Sequence, residues 1–191
     1  EAALRRHHGT DLAGRKVLLI GGTGTVGRIA AVLCARLGAT AVLSSHKGAA
    51  AAQAAADQTG QRFGVTLHGV SGHGSEALRE ALADADVVMG VAAAGVQVMS
   101  EADRAHATRM LVAADVNAVP PEGLAGVGVM DDAKPLAGTS AVGIGALAIG
   151  NVKYQVQHRL LMRMRHAEKP VTLSFSDAFE VAREVLAEPA R

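Results

Sequence analysis

The stretch Lys16-Val17-Leu18-Leu19-Ile20-Gly21-Gly22-Thr23-Gly24-Thr25-Val26-Gly27 decides the fold. A short apolar run meets a glycine-rich turn. Behind the turn, Val26, Ile29, Ala30, Leu33 and Leu37 recur at helical spacing until Gly38 closes the segment. This reads as strand, tight turn and helix. Gly22, Gly24 and Gly27 fit the G-x-G-x-x-G pattern, in which the first glycine permits the turn, the second lets a diphosphate approach the backbone, and the third lets helix and strand pack closely. Thr23, Thr25 and Val26 fill the intervening positions, and the free N–H groups of the helix start face a bound anion. Glycine-rich turns also arise for structural reasons alone, so the pattern takes its weight from the strand before it and the helix behind it.

With 191 residues the chain suits one ordinary domain with an extra helical layer. Aromatic residues make up 2% and tryptophan is absent, so Ala, Val, Leu, Ile and Met must build the core. The net charge of +1 leaves no footprint for a phosphate backbone, which argues against nucleic acid. Nor does any apolar run approach a membrane span, and residues 1–8 lack the hydrophobic region of a signal peptide. The single Cys34 falls where a small buried hydrophobe is expected, which agrees with a reducing cytoplasm.

Residues 1–14 read as the tail of a helix and a polar linker from an absent N-terminal domain, and residues 15–191 as the domain itself. A second strand is expected over Thr40–Ser44, and an alanine-rich crossover helix over Ala49–Gln61, ended by Gly60. Further strands are expected at Val65–Val70, Asp86–Val91 and Met110–Ala114, with helices from Ser75 to Ala83 and after Ser100, whose partner Asp103 completes a cap. Val116–Gly123 reads as a rigid loop at a strand's carboxyl end. Short extra strands are expected at Val127–Met130 and Thr139–Val142, then a long helix from about Ile144 to Arg165 striped by Ile149, Val152, Val156, Leu160 and Met164. Ser176 is expected to cap a last helix with Phe175, Phe179, Ala182 and Leu186 at helical intervals. Strands alternating with helices predict an α/β fold: a doubly wound, mostly parallel sheet of Rossmann type with additional C-terminal helices.

An NAD site usually places an acid at the end of the second strand, where it accepts hydrogen bonds from ribose hydroxyls. Here Ser44, Ser45, His46 and Lys47 stand there, and no acid is near. Hydroxyls and a lysine suit the extra 2′-phosphate of NADP, which a carboxylate would repel. Ser45, His46 and Lys47 therefore predict NADP, with NAD the weaker alternative; the competing reading is a solvated strand end that is merely basic.

Together, Gly21–Gly27, Ser45–Lys47, Ala114-Asp115-Val116-Asn117-Ala118-Val119-Pro120-Pro121 and Gly143-Ile144-Gly145-Ala146-Leu147-Ala148-Ile149-Gly150-Asn151-Val152-Lys153 resemble the bacterial NAD(P)-dependent methylene-tetrahydromethanopterin dehydrogenases. The Asp-x-Asn-Ala-x-Pro-Pro stretch is the most specific part. The resemblance implies hydride transfer from a methylene-tetrahydropterin, carried on tetrahydromethanopterin or tetrahydrofolate, to NADP in one-carbon metabolism. It asks for alignment of donor carbon and nicotinamide, and no general base is assigned. By position, Ala92, Ala93, Ala94 and Gly95, with Asn117 and Ala118, would flank the nicotinamide ribose and ring. Lys153 matches a lysine of the family's late helix and would face the pterin; a solvated helix lysine is the equal alternative. The family also has an N-terminal domain forming the other wall of the pterin cleft, so the resemblance implies a cofactor domain with little turnover of its own.

Eight histidines, His7, His8, His68 and His73 among them, show no ligand spacing, and no metal is expected. His158, Arg159, Arg163, Arg165, His166 and Lys169 read as a solvated helix end complementing the dipole. The apolar stripes of the late helices are compatible with a homo-oligomer. Two rivals stay open: a shikimate-type NADP dehydrogenase, which should show catalytic Lys and Asp residues from a substrate domain, and a non-enzymatic NADP-binding sensor or subunit.

Overall fold

The computed structural model describes residues 1–72, 74 and 76–188. Its β1 (Lys16–Ile20) lies near the middle of a seven-stranded sheet. One side of β1 carries β2 (Thr40–Ser45) and β3 (His68–Ser71); the other carries β4 (Val87–Gly90), β5 (Val112–Asp115), β7 (Val142–Ile144) and β6 (Asp132–Pro135), giving the order β3-β2-β1-β4-β5-β7-β6. All neighbours are parallel except β6 and β7. The strand order reverses at β1, and in such sheets the crevice at the strands' carboxyl ends is where ligands bind.

The buried strands are nearly continuous apolar runs because helices cover both faces of a parallel sheet. Leu18, Ile20, Val42, Val88 and Ala113 join Leu78 and Leu82 of α4 (Glu76–Ala83) in one core cluster. On the opposite face lie α2 (Thr25–Arg36) and α3 (Ala49–Phe63), where Ala31, Val32, Ala52, Ala55 and Ala56 are buried. Alanine keeps α3 close to the sheet, so the tract is a packed helix; it runs past Gly60, and its cap is Gly64 at φ +66°. Ahead of β1, α1 (Ala2–His8) buries Leu4, and His8 Nε2 lies 2.9 Å from the Leu111 carbonyl. The short α5 (Glu101–Arg104) opens with the expected capping box of Ser100 and Asp103.

Several expectations are corrected. Val127–Met130 is a turn, held where Asp131 Oδ2 accepts from Gly128 N at 2.8 Å; the edge strand is the polar Asp132–Pro135 instead. The strand expected at Thr139–Val142 begins at Val142. Val26 is 62% exposed, and α2 buries Gly27, Ala31, Val32 and Cys34 rather than the larger apolar stripe. Ser75 and His73 lie outside the described residues.

The chain forms two compact units, Glu1–Ala146 and Leu147–Arg191. The second holds nearly all of α6 (Ala146–Arg165) together with α7 (Phe175–Ala187). Val156, Val181 and Val185 form its core, with Val152 and Leu160 packed against it, whereas Met164 and Leu186 are exposed. Arg159 pairs with Glu188 at 2.7 Å and Arg163 with Glu184 at 2.9 Å, so two residues of the supposed solvated cluster join the helices. The cap of α7 is Ser174, not Ser176: Asp177 Oδ2 accepts from Ser174 N at 2.7 Å. Among the described residues no helix is long and apolar enough to cross a membrane.

Candidate functional site

Four loops gather at the carboxyl edge of the sheet, following β1, β2, β4 and β5. The first is built by what its glycines lack. A Cβ on Gly27 would stand 2.5 Å from Gly22 Cα, and one on Gly22 would stand 2.7 Å from the Leu19 carbonyl oxygen. Helix and turn therefore meet backbone to backbone. At Gly24 a Cβ would meet nothing within 4 Å, so this backbone faces open space. The left-handed residue of the turn is Gly21, at φ +76°, one position before the glycine to which the pattern assigns the turn. A Cβ there would lie 2.6 Å from that of Ala92, so Gly21 also lets the first and third loops touch.

Gly24 is the N-cap of α2, with no side chain capping the helix and no acid in its first turn. The first intrahelical bond runs from Arg28 N to Gly24 O at 3.0 Å, which leaves the amides of Thr25, Val26 and Gly27 ahead of it. Thr23 is pinned through its carbonyl, which accepts from Arg28 Nε at 2.8 Å, while Arg28 Nη1 reaches Gln58 Oε1 at 2.7 Å. The glycine pattern does not specify this brace; its signal in the sequence is the arginine directly after the third glycine. The exposure of Val26 places it on the open side of the loop.

The second loop divides its predicted residues. Ser44 is fully buried, and its Oγ accepts from Gly21 N at 3.2 Å, tying β2 to the glycine turn. Ser45 is also buried, and its Oγ accepts from Lys47 N at 3.1 Å. The serines thus shape the turn, while His46 and Lys47 are exposed just before α3 begins. No carboxylate stands between Ser44 and Ala56 in the sequence.

Ala93 and Ala94 of the third loop are exposed, Ala92 is half-buried, and Gly95 sits at φ +74°. Gly95 N donates to Asn117 Oδ1 at 3.0 Å, which brings the third and fourth loops together. Ala118 is exposed beside it, and the Pro120–Pro121 bond is cis. Lys153 is exposed on α6 in the second unit. Burial pushes the Cys34 thiol up to about 11, so little of it is thiolate at neutral pH.

These features fit a dinucleotide. The chain offers a side-chain-free approach at Gly24, an uncapped helix start for a diphosphate, and a strand end without the carboxylate that would repel a further phosphate. No protein-family model matches the chain. A curated protein does: the NAD(P)-dependent methylenetetrahydromethanopterin dehydrogenase of Methylorubrum extorquens is 43% identical over 183 residues, 96% of this chain and 62% of that protein. The chain is a homologue of that dehydrogenase. Bifunctional protein MdtA of the same organism is 30% identical over 177 residues, 93% of this chain and 60% of its own length. The chain thus spans about three-fifths of the curated relatives it matches. Among solved structures, quinate dehydrogenase from Corynebacterium glutamicum in complex with NAD superposes with a TM-score of 0.57 at 16% identity, over 97% of this chain and 59% of that one. At that identity the likeness speaks for the Rossmann-type fold alone.

Proposed function

We propose that this chain is the NADP-binding part of a cytoplasmic methylene-tetrahydropterin dehydrogenase. One observation carries the reading: the glycine turn is closed at Gly22 and Gly27 and open at Gly24, in a chain 43% identical to a methylenetetrahydromethanopterin dehydrogenase. In this reading the amides from Thr23 to Gly27 receive the diphosphate. Lys47 and His46 neutralise the 2′-phosphate, and Ser45 holds the turn that presents them. Ala92–Gly95 and Asn117–Ala118 flank the nicotinamide ribose and ring, and Lys153 faces the pterin. NADP, when bound, supplies the acceptor for a hydride leaving the methylene carbon, which becomes methenyl.

The chain's task is then to bind, orient and keep water out, and no side chain is assigned as acid or base. Residues 15–191 carry the cofactor part and residues 1–14 lead into it. In this reading the pterin's other wall is supplied from outside these residues, and the chain spans about three-fifths of the relatives' length. Such a division predicts NADP binding with little turnover by these residues alone.

Isothermal calorimetry with NADP and NAD tests the reading. The wild-type chain should prefer NADP, and Lys47→Glu should weaken NADP by about tenfold while sparing NAD, since one charge-assisted contact is replaced by repulsion. No heat with either nucleotide, or an NADP preference untouched by Lys47→Glu, overturns it.

A further inference from the structure

Asp115 is 2% exposed at the end of β5, and no cation pairs with it among the described residues. Its carboxylate instead accepts backbone hydrogen bonds. Oδ2 receives Gly123 N at 2.7 Å and Leu124 N at 3.1 Å, and Oδ1 receives Asn117 N at 3.0 Å. The surrounding glycines make the room: a Cβ on Gly123 would stand 2.7 Å from Oδ1, and one on Gly90 would stand 3.0 Å from it. A buried carboxylate satisfied by three amides holds the loop between them in one shape.

Asn117 extends that hold to the neighbouring loop. Its Oδ1 accepts from Gly95 N at 3.0 Å and Val119 N at 3.1 Å, and its Nδ2 donates to the Pro121 carbonyl at 2.7 Å. With three bonds to backbone and only 9% exposure, the side chain is spent on the protein. Both acceptor sites of its oxygen are taken.

We infer that Asp115 and Asn117 are positioning residues, which clamp the loops after β4 and β5 into the surface that receives the nicotinamide half of the cofactor. They do so without Asn117's side chain serving as a cofactor ligand. The inference rests on the proposed NADP reading. The residues that meet the ring are then the exposed Ala93, Ala94 and Ala118, which offer backbone and methyl groups only. Such a surface orients a flat ring by shape, and its precision comes from the polar clamp beneath it.

The test compares NADP with adenosine 2′,5′-bisphosphate, a probe that occupies only the adenine end. Asn117→Ala strands two loop amides and should weaken NADP by about tenfold while leaving the bisphosphate within about twofold of wild type. Asn117→Asp keeps both acceptor bonds and should recover part of the loss. Asp115→Asn, altered beneath the loop and away from any ligand, should reproduce the selective loss. A variant that merely misfolds would lose both ligands, so the unchanged bisphosphate affinity is the readout that a general structural role would not leave intact. If Asn117→Ala is selective and Asp115→Asn is silent with NADP, the clamp is overturned in favour of a direct ligand. If both variants bind NADP as wild type does, the inference fails while the NADP reading stands. A wild-type chain that binds neither probe removes the NADP reading and the inference with it.

Discussion

Gly24→Ala and Gly27→Ala place the same methyl group three residues apart, yet only the second is expected to cost stability. At Gly27 the new Cβ would stand 2.5 Å from both Gly22 Cα and Gly22 O, and 2.7 Å from Gly22 C. All three are backbone atoms, so no rotamer relieves the clash. Ordinary contact needs about 1 Å more, and α2 must shift from the glycine turn by a comparable amount; overpacking of this kind costs about 2 kcal/mol. For a domain of this size that lowers Tm by roughly 4–8 °C. It also displaces the amides that follow, so NADP affinity should fall with stability. At Gly24 φ is −76°, which alanine adopts readily, and no atom lies within 4 Å. Reduced freedom of the unfolded chain offsets the poorer cap, leaving stability within about 0.5 kcal/mol of wild type. The methyl group would nonetheless occupy the approach to the diphosphate, and NADP affinity should drop by about tenfold or more. Thermal denaturation followed by circular dichroism, paired with calorimetric titration, reads both quantities on the same samples. A Gly24→Ala variant that binds NADP as tightly as wild type would refute the argument, because the open backbone would then not be where the diphosphate lies.

Two further outcomes follow from titrating groups. Burial holds the Cys34 thiol near 11, so at pH 8 its thiolate fraction is roughly two hundred times below that of a free cysteine, partly offset by the greater nucleophilicity of a more basic thiolate. Iodoacetamide should therefore label the native chain about twentyfold more slowly than the urea-unfolded chain, as followed by mass; equal rates would contradict the packing of α2. In α7 the bonds from Ser174 hold the Asp177 carboxyl below its usual range. A carboxylate with a depressed folded value stabilises above its ordinary pKa of about 4 and loses that contribution as pH falls through the folded value. Helicity measured by circular dichroism should decline over that interval in wild type, and Asp177→Asn should start lower and lack that component; a variant with the wild-type pH profile would count against the cap.

What could be read from the sequence divides along a physical line. The unit from β1 through α2 was legible because its signals are local: an apolar run, adjacent glycines and a helix-forming segment. The buried face of α2 was not, because hydrophobic spacing points to the largest side chains, while close approach to the sheet selects the smallest. Gly27, Ala31 and Cys34 are buried there beside a single larger residue, Val32, and Val26 is not. The edge strand Asp132–Pro135 carries no such signal, because a strand with one neighbour and a solvent face needs no apolar run. The cap of α7 is readable from the sequence, two residues before Ser176. An acid three positions on marks the cap, and Asp177 stands in that relation to Ser174, not to Ser176.

At the candidate site the limit was of another kind. Residue types were legible, yet their division of labour depends on partners that carry no side-chain identity. Asp115 bonds to the amides of Asn117, Gly123 and Leu124, and Asn117 to backbone atoms of Gly95, Val119 and Pro121. Every residue offers such atoms, so no spacing rule singles out these. Ser44 and Ser45 follow the same logic, their hydroxyls accepting from Gly21 N and Lys47 N. The polar residues of this edge that look like ligands thus spend themselves on shape. What they leave free for a cofactor is backbone at Gly24, alanine methyl groups, and the two exposed basic side chains of His46 and Lys47. A site built this way can recognise phosphate by amides and charge, and a planar ring by fit. The buried carboxylate at this edge, Asp115, is occupied by backbone amides rather than left open for proton transfer, which suits the proposed reaction, whose essential step is the alignment of a hydride donor with its acceptor.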